Sequence, residues 1–276
     1  MEVVTCDNAR RFRTLADPLL LENEAKNNLI LGVTGILVED PMAFDRFHSW
    51  VVMSDGEPVA AGAVAGPNNL ILGEARSKQA VIRLAGATEG IRGVVGTVPW
   101  VDMFVAFRPE AARRTMRQGV FELRQVTPPT NVTGHSRMAR ATDIDVLCDW
   151  FLAFQEEAIG HVEDAAGVRN RVVARIETQT PTFGTWVHEV DDELVAMSSH
   201  SGPTPSGIRL GAVYTPPHHR RHGYATAVVA AQSQWLLDSG HRFCFLYTDL
   251  ANPTSNAIYR SIGYRQIAES AEYAFT

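Results

Sequence analysis

The sequence predicts an α/β protein of two tandem domains, each a mixed, mostly antiparallel twisted sheet flanked by helices. Three observations lead there. The first is size: 276 residues with 45 % hydrophobic content suffice for two cores and are too apolar for a disordered chain. The second is an internal repeat. "WVVMSDGEPVAAGAVAGP" from Trp50 returns as "WVHEVDDELVAMSSHSGP" from Trp186, at a constant offset of 136 residues. The third is a strand pattern in the second half that gives way, at Gly223, to small apolar residues suited to a helix.

Each copy reads as strand, polar turn (Asp55-Gly56 or Asp191-Asp192), strand, Gly-Pro turn, strand. With two residues inserted, "LILGEA" from Leu70 falls on "IRLGAV" from Ile208. Prolines, threonines and a glycine between Gln125 and Ser136 break periodicity as a linker does, which divides the chain into 1–128 and 129–276. A helix then starts near Thr142, with Ile144, Leu147, Phe151 and Phe154 at helical spacing. "GIRLGAVYT" is a strand with Ile208, Leu210 and Ala212 alternating, stopped by Pro216 and Pro217, which cannot donate to a ladder. A helix from Gly223 to Asp238 is closed by Gly240. Asn252-Pro253 opens the last helix and Gly263 ends it. Ile258 and Ile262 on that helix fill the core, and Tyr259 is turned about 100° from them, towards a cleft. The copies diverge after their third strands. "RSKQAVIRLAGATEG" in the first half has no glycine opening the next helix, so chemistry at that point belongs to the second half.

Composition excludes several classes. A net charge of -6 disfavours a general nucleic-acid binder, because nothing overall neutralises phosphates. Cys6, Cys148 and Cys244 are odd in number and widely spaced, which predicts buried free thiols in a reducing compartment. The N-terminus has no basic-then-apolar leader, and no apolar run approaches the ~18 residues of a membrane span. The expectation is a cytoplasmic protein with neither membrane nor nucleic-acid partner.

One stretch is unlike its surroundings. "VYTPPHHRRHGYATAVVAA" gathers three His and two Arg in five residues, ahead of a helix whose first turn is small. Free backbone N–H groups and the positive dipole end make a helix start an anion site, and a glycine lets a bulky phosphate approach the backbone. Neither the G-x-x-x-x-G-K-[S/T] nor the G-x-G-x-x-G loop is present. His218 and His222 stand four apart, but in a turn and with no acidic or Cys neighbour in sequence, so no metal is expected.

"RRHGYA" (Arg220 to Ala225) resembles the R/Q-x-x-G-x-G/A signature of the GNAT-superfamily N-acetyltransferases. The preceding "GAVYTPP" and the following "LYTDLANPTSNAIYRSIGYRQI" (Leu246 to Ile267) stand in the order that the family has. The resemblance covers roughly Arg137 to Thr276, and the repeat extends it to a first half that looks like a degenerate copy. It implies a tandem GNAT protein with acetyl-CoA as co-substrate and acetyl transfer to a primary amine of a small molecule or peptide. The alternative is a non-catalytic acyl-CoA-binding sensor or scaffold.

The resemblance also implies roles. Val213, Tyr214 and Thr215 would pair with the pantetheine arm along an opened strand. Arg220, Arg221, His222, Gly223, Tyr224, Ala225 and Thr226 would surround the diphosphate, and Asn252 would contact the coenzyme. Tyr259 would protonate the departing thiolate, a reasonable task for a phenol of pKa about 10 in a dry cleft. The strand at Gly207–Tyr214 has no carboxylate to serve as base, which leaves His200 and Asp249 as candidates. Glu156, Glu157, Glu163 and Asp164, where the acceptor cleft is roofed in this fold, would attract a cationic amine. A homodimer stays open.

Overall fold

A computed structural model describes residues 1–67, 69–158 and 164–276. The first half runs β1 (Glu2–Cys6), α1 (Ala9–Leu20), α2 (Asn28–Glu39), β2 (Phe47–Ser54), β3 (Glu57–Ala65), β4 (Leu70–Leu72), α3 (Lys78–Ala87), β5 (Gly93–Thr97), α4 (Trp100–Ala106) and β6 (Ala112–Leu123). The second repeats the plan: β7 (His135–Met138), α5 (Ile144–Ala158), α6 (Ala165–Glu177), β8 (Gly184–Val190), β9 (Glu193–Ser201), β10 (Gly207–Tyr214), α7 (Tyr224–Asp238), β11 (Phe243–Asp249), α8 (Pro253–Ile262) and β12 (Arg265–Phe275).

The repeat seen in sequence is a repeat in space. β3 and β9 have the same length and differ by the offset of 136 residues. Both hairpins turn on residues in the left-handed region, Asp55 and Gly56 at φ 53° and 86°, Asp191 and Asp192 at 48° and 63°. Two consecutive residues of positive φ match the right-handed twist of the flanking strands. Gly66 and Gly202, at φ 61° and 67°, repeat the next turn.

Helices cover both faces of the sheet, again in duplicate. In the first half, α1 and α2 bury Phe12, Leu19, Ile30 and Leu31 against Val51, Ala61 and Ile71, while α3 and α4 bury Val81, Leu84 and Phe104 against Val52, Ala60 and Leu70. Alternate strand residues point to opposite faces, so each strand serves two cores. In the second half, α5 and α6 pack Leu147, Phe151 and Val172 on Val187 and Met197, and α7 and α8 pack Val228, Leu236 and Ile262 on Ile208, Leu210 and Leu246. The three cysteines are buried and free, as expected.

The halves do not keep separate sheets. Twelve strands form one sheet in the order β1-β2-β3-β4-β5-β12-β6-β11-β10-β9-β8-β7. The last strand of each half has crossed into the other: β12 pairs with β5, β6 pairs with β11, and the two run antiparallel side by side. Among the described residues only β4–β5 and β10–β11 are parallel pairs, so the sheet is mixed and mostly antiparallel. Periodicity in one strand cannot say which neighbour will take it, so the exchange has no signature in sequence. Among the described residues no helix is long and apolar enough to cross a membrane.

Candidate functional site

The two parallel pairs mark corresponding places in the halves, and they differ. β10 pairs with β11 at Gly207, Ile208 and Arg209 and then leaves it, although both strands continue. The cause lies on the other edge of β10. Against β9, Gly211 faces Ser199 and Tyr214 faces Met197, so one extra residue is inserted and Ala212 takes φ 47°. A bulge of this kind bends its strand and re-aims the side chains beyond it. The alternation expected of Ile208, Leu210 and Ala212 therefore fails at its last member. Ile208 and Leu210 pack towards α7, Ala212 packs with the α5–α6 core, and Val213 returns to the α7 side. The edge of β10 that faces β11 is left without strand partners from Leu210 to Tyr214.

Past the fork the chain passes Pro216 and a short 3₁₀ turn (Pro217–His219) to α7. Arg221 and Gly223 lie in the left-handed region, at φ 70° and 84°, and among the described residues no side chain caps the helix start. The first helical N–H groups are thus free to meet an anion. A Cβ on Gly223 would stand 3.0 Å from Val132 Cγ2, so glycine is required there by conformation and by space. The first half closes the equivalent place with its own side chain, for Ser77 caps α3 by accepting from Ala80 N–H at 3.2 Å.

These features fit the coenzyme that the sequence implies. The edge of β10 facing β11 is unpaired up to Tyr214, and just beyond it Thr215 Oγ1 is buried without a partner among the described residues. The bare start of α7 is formed by Tyr224, Ala225 and Thr226, all half-buried. Arg221 and His222 are exposed beside it. Arg220 is placed otherwise: it donates to Thr215 O at 2.9 Å and to Glu157 Oε2 at 2.7 Å, with its guanidinium 5.9 Å from the Tyr214 ring. Burial and the nearby Glu157 carboxylate raise the Tyr214 phenol. Glu157 is therefore held by Arg220 rather than presented to a cationic amine. Glu156 is exposed, Asp164 caps α6 by accepting from Gly167 N–H, and Glu163 lies outside the described residues.

Tyr259 departs from its expected face. The buried positions of α8 are Asn256, Tyr259 and Ile262, and Ile258 is at their margin. The core follows the i, i+3 row because α7 and the β11 face approach α8 there. Tyr259 is 8 % exposed, packs edge-on to Tyr264 with centroids 5.9 Å apart, and has its phenol pushed up to about 12 by burial. Asn252 caps α8, accepting from Ser255 N–H at 3.1 Å. Asp249, exposed at the end of β11, accepts from Ala251 N–H at 2.8 Å.

His200 belongs to the core and not to the cleft. It is 2 % exposed, Nε2 meets Thr180 O at 2.8 Å and Nδ1 meets Gln232 Nε2 at 2.9 Å. Both ring nitrogens are thus used, and burial lowers the imidazole to about 4. No lone pair is left for a substrate proton. The absence of an acidic neighbour near the His run is also corrected: Glu193, distant in sequence, lies 3.2 Å from His219 Nε2. The ligand-type atoms of Glu193, His218 and His219 fall within 4.8 Å of one another, at the rim of a cleft of about 570 Å³. Sequence reasoning missed them because strand pairing brings β9 beside the turn.

A family model described as FR47-like protein matches residues 191–273. No curated protein matches the sequence. Among solved structures, a GCN5-related N-acetyltransferase from Sphaerobacter thermophilus superposes at a TM-score of 0.67 with 13 % identity, covering 98 % of this chain and 94 % of that one. A tandem GNAT protein from the clavulanic acid biosynthesis pathway gives 0.57 and 16 %, covering 99 % and 98 %. The chain has the tandem GNAT fold. An acetyltransferase of the GNAT family from Colwellia psychrerythraea has this arrangement over its whole length as well, at a TM-score of 0.59 and 12 % identity. The tandem GNAT fold thus extends through both halves here, while the family model falls in the half with the forked strands.

Proposed function

We propose that this tandem GNAT protein transfers an acetyl group from acetyl-CoA to a primary amine, using the second domain (129–276), while the first (1–128) is a degenerate copy without a phosphate loop. The observation that carries this reading is the fork between β10 and β11 beside a helix start that no side chain caps. The pantetheine arm would lie along Val213 to Thr215, and the diphosphate would take the N–H groups at Gly223 to Thr226 with Arg221 and His222 beside it. The Val213 N–H would donate to the thioester oxygen as negative charge develops there.

In the transfer, the amine nitrogen forms a bond to the carbonyl carbon, the C–S bond breaks, and its electron pair leaves on sulfur. That sulfur's proton is assigned to Tyr259, although the residue lies on the buried row of α8. Burial pushes the Tyr259 phenol up to about 12, so it holds its proton until a thiolate forms beside it. The proton lost by the amine would pass through water to Asp249, exposed at the end of β11. The named neighbours that superpose over the full chain include acetyltransferases, which supports transfer over passive binding. The test is release of free thiol from acetyl-CoA with a panel of amines. Thiol release that requires an amine and falls in Tyr259→Phe is expected. Coenzyme binding with no amine-dependent release would favour a sensor or scaffold.

A further inference from the structure

Among the described residues, two arginines on the α6 side of the fork have no carboxylate. Arg209 is the last residue of β10 paired to β11, and its side chain lies on the face opposite Ile208 and Leu210. Its guanidinium fits against Gly202, where a Cβ would meet Nη2 at 3.1 Å. Arg175 comes from α6. Its guanidinium sits 4.4 Å above the Phe183 ring and 6.0 Å from Phe151, and Nη1 donates to His200 O at 3.2 Å. Burial lowers both guanidiniums, Arg175 to about 10, and repulsion from Arg171 and then Arg209 adds to the effect on Arg175. Among the described residues neither forms an ion pair with an acid. The chain pairs its other buried arginines: Arg137 is held by Asp143 and Glu189, and Arg108 by Glu110.

Two like charges drawn out of water are unfavourable unless a counter-charge joins them. Aromatic faces and one carbonyl soften that cost without supplying a negative charge. Arg209 faces Phe245 at the last pair of the parallel register, and Tyr247, two residues on, shares that face where β10 and β11 have parted. Planar guanidinium forks suit a carboxylate.

We propose that Arg175 and Arg209 receive a carboxylate of the acceptor, so that the substrate is an amine carrying an anionic group several bonds from its reacting nitrogen. The site rests on the acetyl-transfer reading for its amine, but its anion specificity can be tested separately. Ala212 at the bulge is three positions along the chain from Arg209, roughly 10 Å of strand. That span suits an ω-amino acid or a lysine side chain of a free amino acid better than an α-amine. The two cations also oppose the ammonium form of the arriving nitrogen, which favours the neutral nucleophile in a cleft with no buried base.

The experiment compares 6-aminohexanoate with hexylamine as acceptors, and follows thermal stability with glutarate against 1,5-pentanediol. For the unaltered protein, kcat/KM is expected to favour 6-aminohexanoate by about 100-fold, the worth of one to two charge-assisted hydrogen bonds. Arg209→Met and Arg175→Met should bring that ratio below about 5. Glutarate should raise the Tm of the unaltered protein, and 1,5-pentanediol should not. Equal use of both amines, or no stabilisation by glutarate, overturns the anion site and leaves acetyl transfer standing. If neither amine is acetylated while glutarate still stabilises, the transfer reading fails and the anion site survives. Should a variant not fold, the two measurements on the unaltered protein decide the matter alone.

Discussion

Replacing Gly223 by alanine adds one methyl group where two constraints meet. Gly223 has φ 84°, and its Cβ would lie 3.0 Å from Val132 Cγ2. Holding a non-glycine residue in the left-handed region costs about 1–2 kcal/mol, and Val132 must give by a few tenths of an ångström. That backbone cost also arises at Gly240, at φ 105° with nothing within 4 Å of its Cβ, at the far end of the same helix. Gly240→Ala is therefore the matched control for strain without the site. Both variants should lose about 1–2 kcal/mol of stability in denaturant unfolding. Only Gly223→Ala should weaken coenzyme A. If its methyl displaces the diphosphate from one or two N–H groups, each charge-assisted bond is worth about 1.5–3 kcal/mol, and Kd rises by roughly 10- to 100-fold or more. Calorimetry at one ionic strength measures this directly. Equal coenzyme affinity in the two variants would refute the placing of the diphosphate at the start of α7.

Other substitutions test other parts. Tyr259→Phe should lower kcat by about 100-fold, a usual worth for a positioned acid, with coenzyme Kd changed less than twofold; an unchanged kcat removes Tyr259 from the acid role. His200 has its folded pKa depressed to about 4 from 6.5, so the unfolded chain binds the extra proton between those values and stability rises with pH across that window. Its full contribution is present above pH 6.5, is lost as pH falls towards 4, and is on the order of 3 kcal/mol. In His200→Gln that part of the slope should vanish from urea midpoints taken at pH 4.5 and 7, and a slope equal to the unaltered protein's would contradict the burial argument. Glu157→Gln releases Arg220 from an exposed pair, so stability should move by less than about 0.5 kcal/mol. Coenzyme affinity in Glu157→Gln should rise and become more sensitive to salt, as judged by calorimetry at two ionic strengths. Because β6 and β12 are exchanged, fragments 1–128 and 129–276 should co-purify when expressed together, and separate elution on gel filtration would count against a shared sheet.

Much of this site could be read from residues alone, for a physical reason. The start of α7, the cap at Asn252 and the stop at Gly263 depend on short-range chemistry: a glycine's access to positive φ, an amide's reach to a nearby N–H, a proline's missing donor. The hairpins repeated at Asp55 and Asp191 are of the same kind. What the sequence did not reveal is contact between distant segments. His200 carries no mark that Gln232 and Thr180 will occupy its nitrogens, and Glu193 none that His219 will stand against it. The bulge at Ala212 is intermediate. Gly211-Ala212 interrupts an otherwise apolar strand, but only the register with β9 shows an inserted residue. The face of Tyr259 failed for a similar reason, since the choice between the 258/262 row and the 256/259/262 row is made by what packs against α8.

The exchange of end strands bears on why a half without a phosphate loop is kept. β11 carries Tyr247 and Asp249, and its outer edge is covered by β6, from Cys244 against Leu123 to Asp249 against Gln118. Without β6 that edge would present unpaired N–H and C=O groups, a liability for a strand whose other edge is already opened at the fork. Arg117 of β6 pairs with Glu269 of β12, and Asn69 donates to Glu272 at 2.7 Å, so the exchanged strands are also tied by side chains. Gly32 of α2 comes close to Gly202, the residue against which Arg209 rests. The first half therefore supplies the strand that holds β11 in place and a helix behind the proposed anion site. The Ser77 cap at the start of α3 takes nothing from either task, since both depend on β6 and α2 and neither depends on α3.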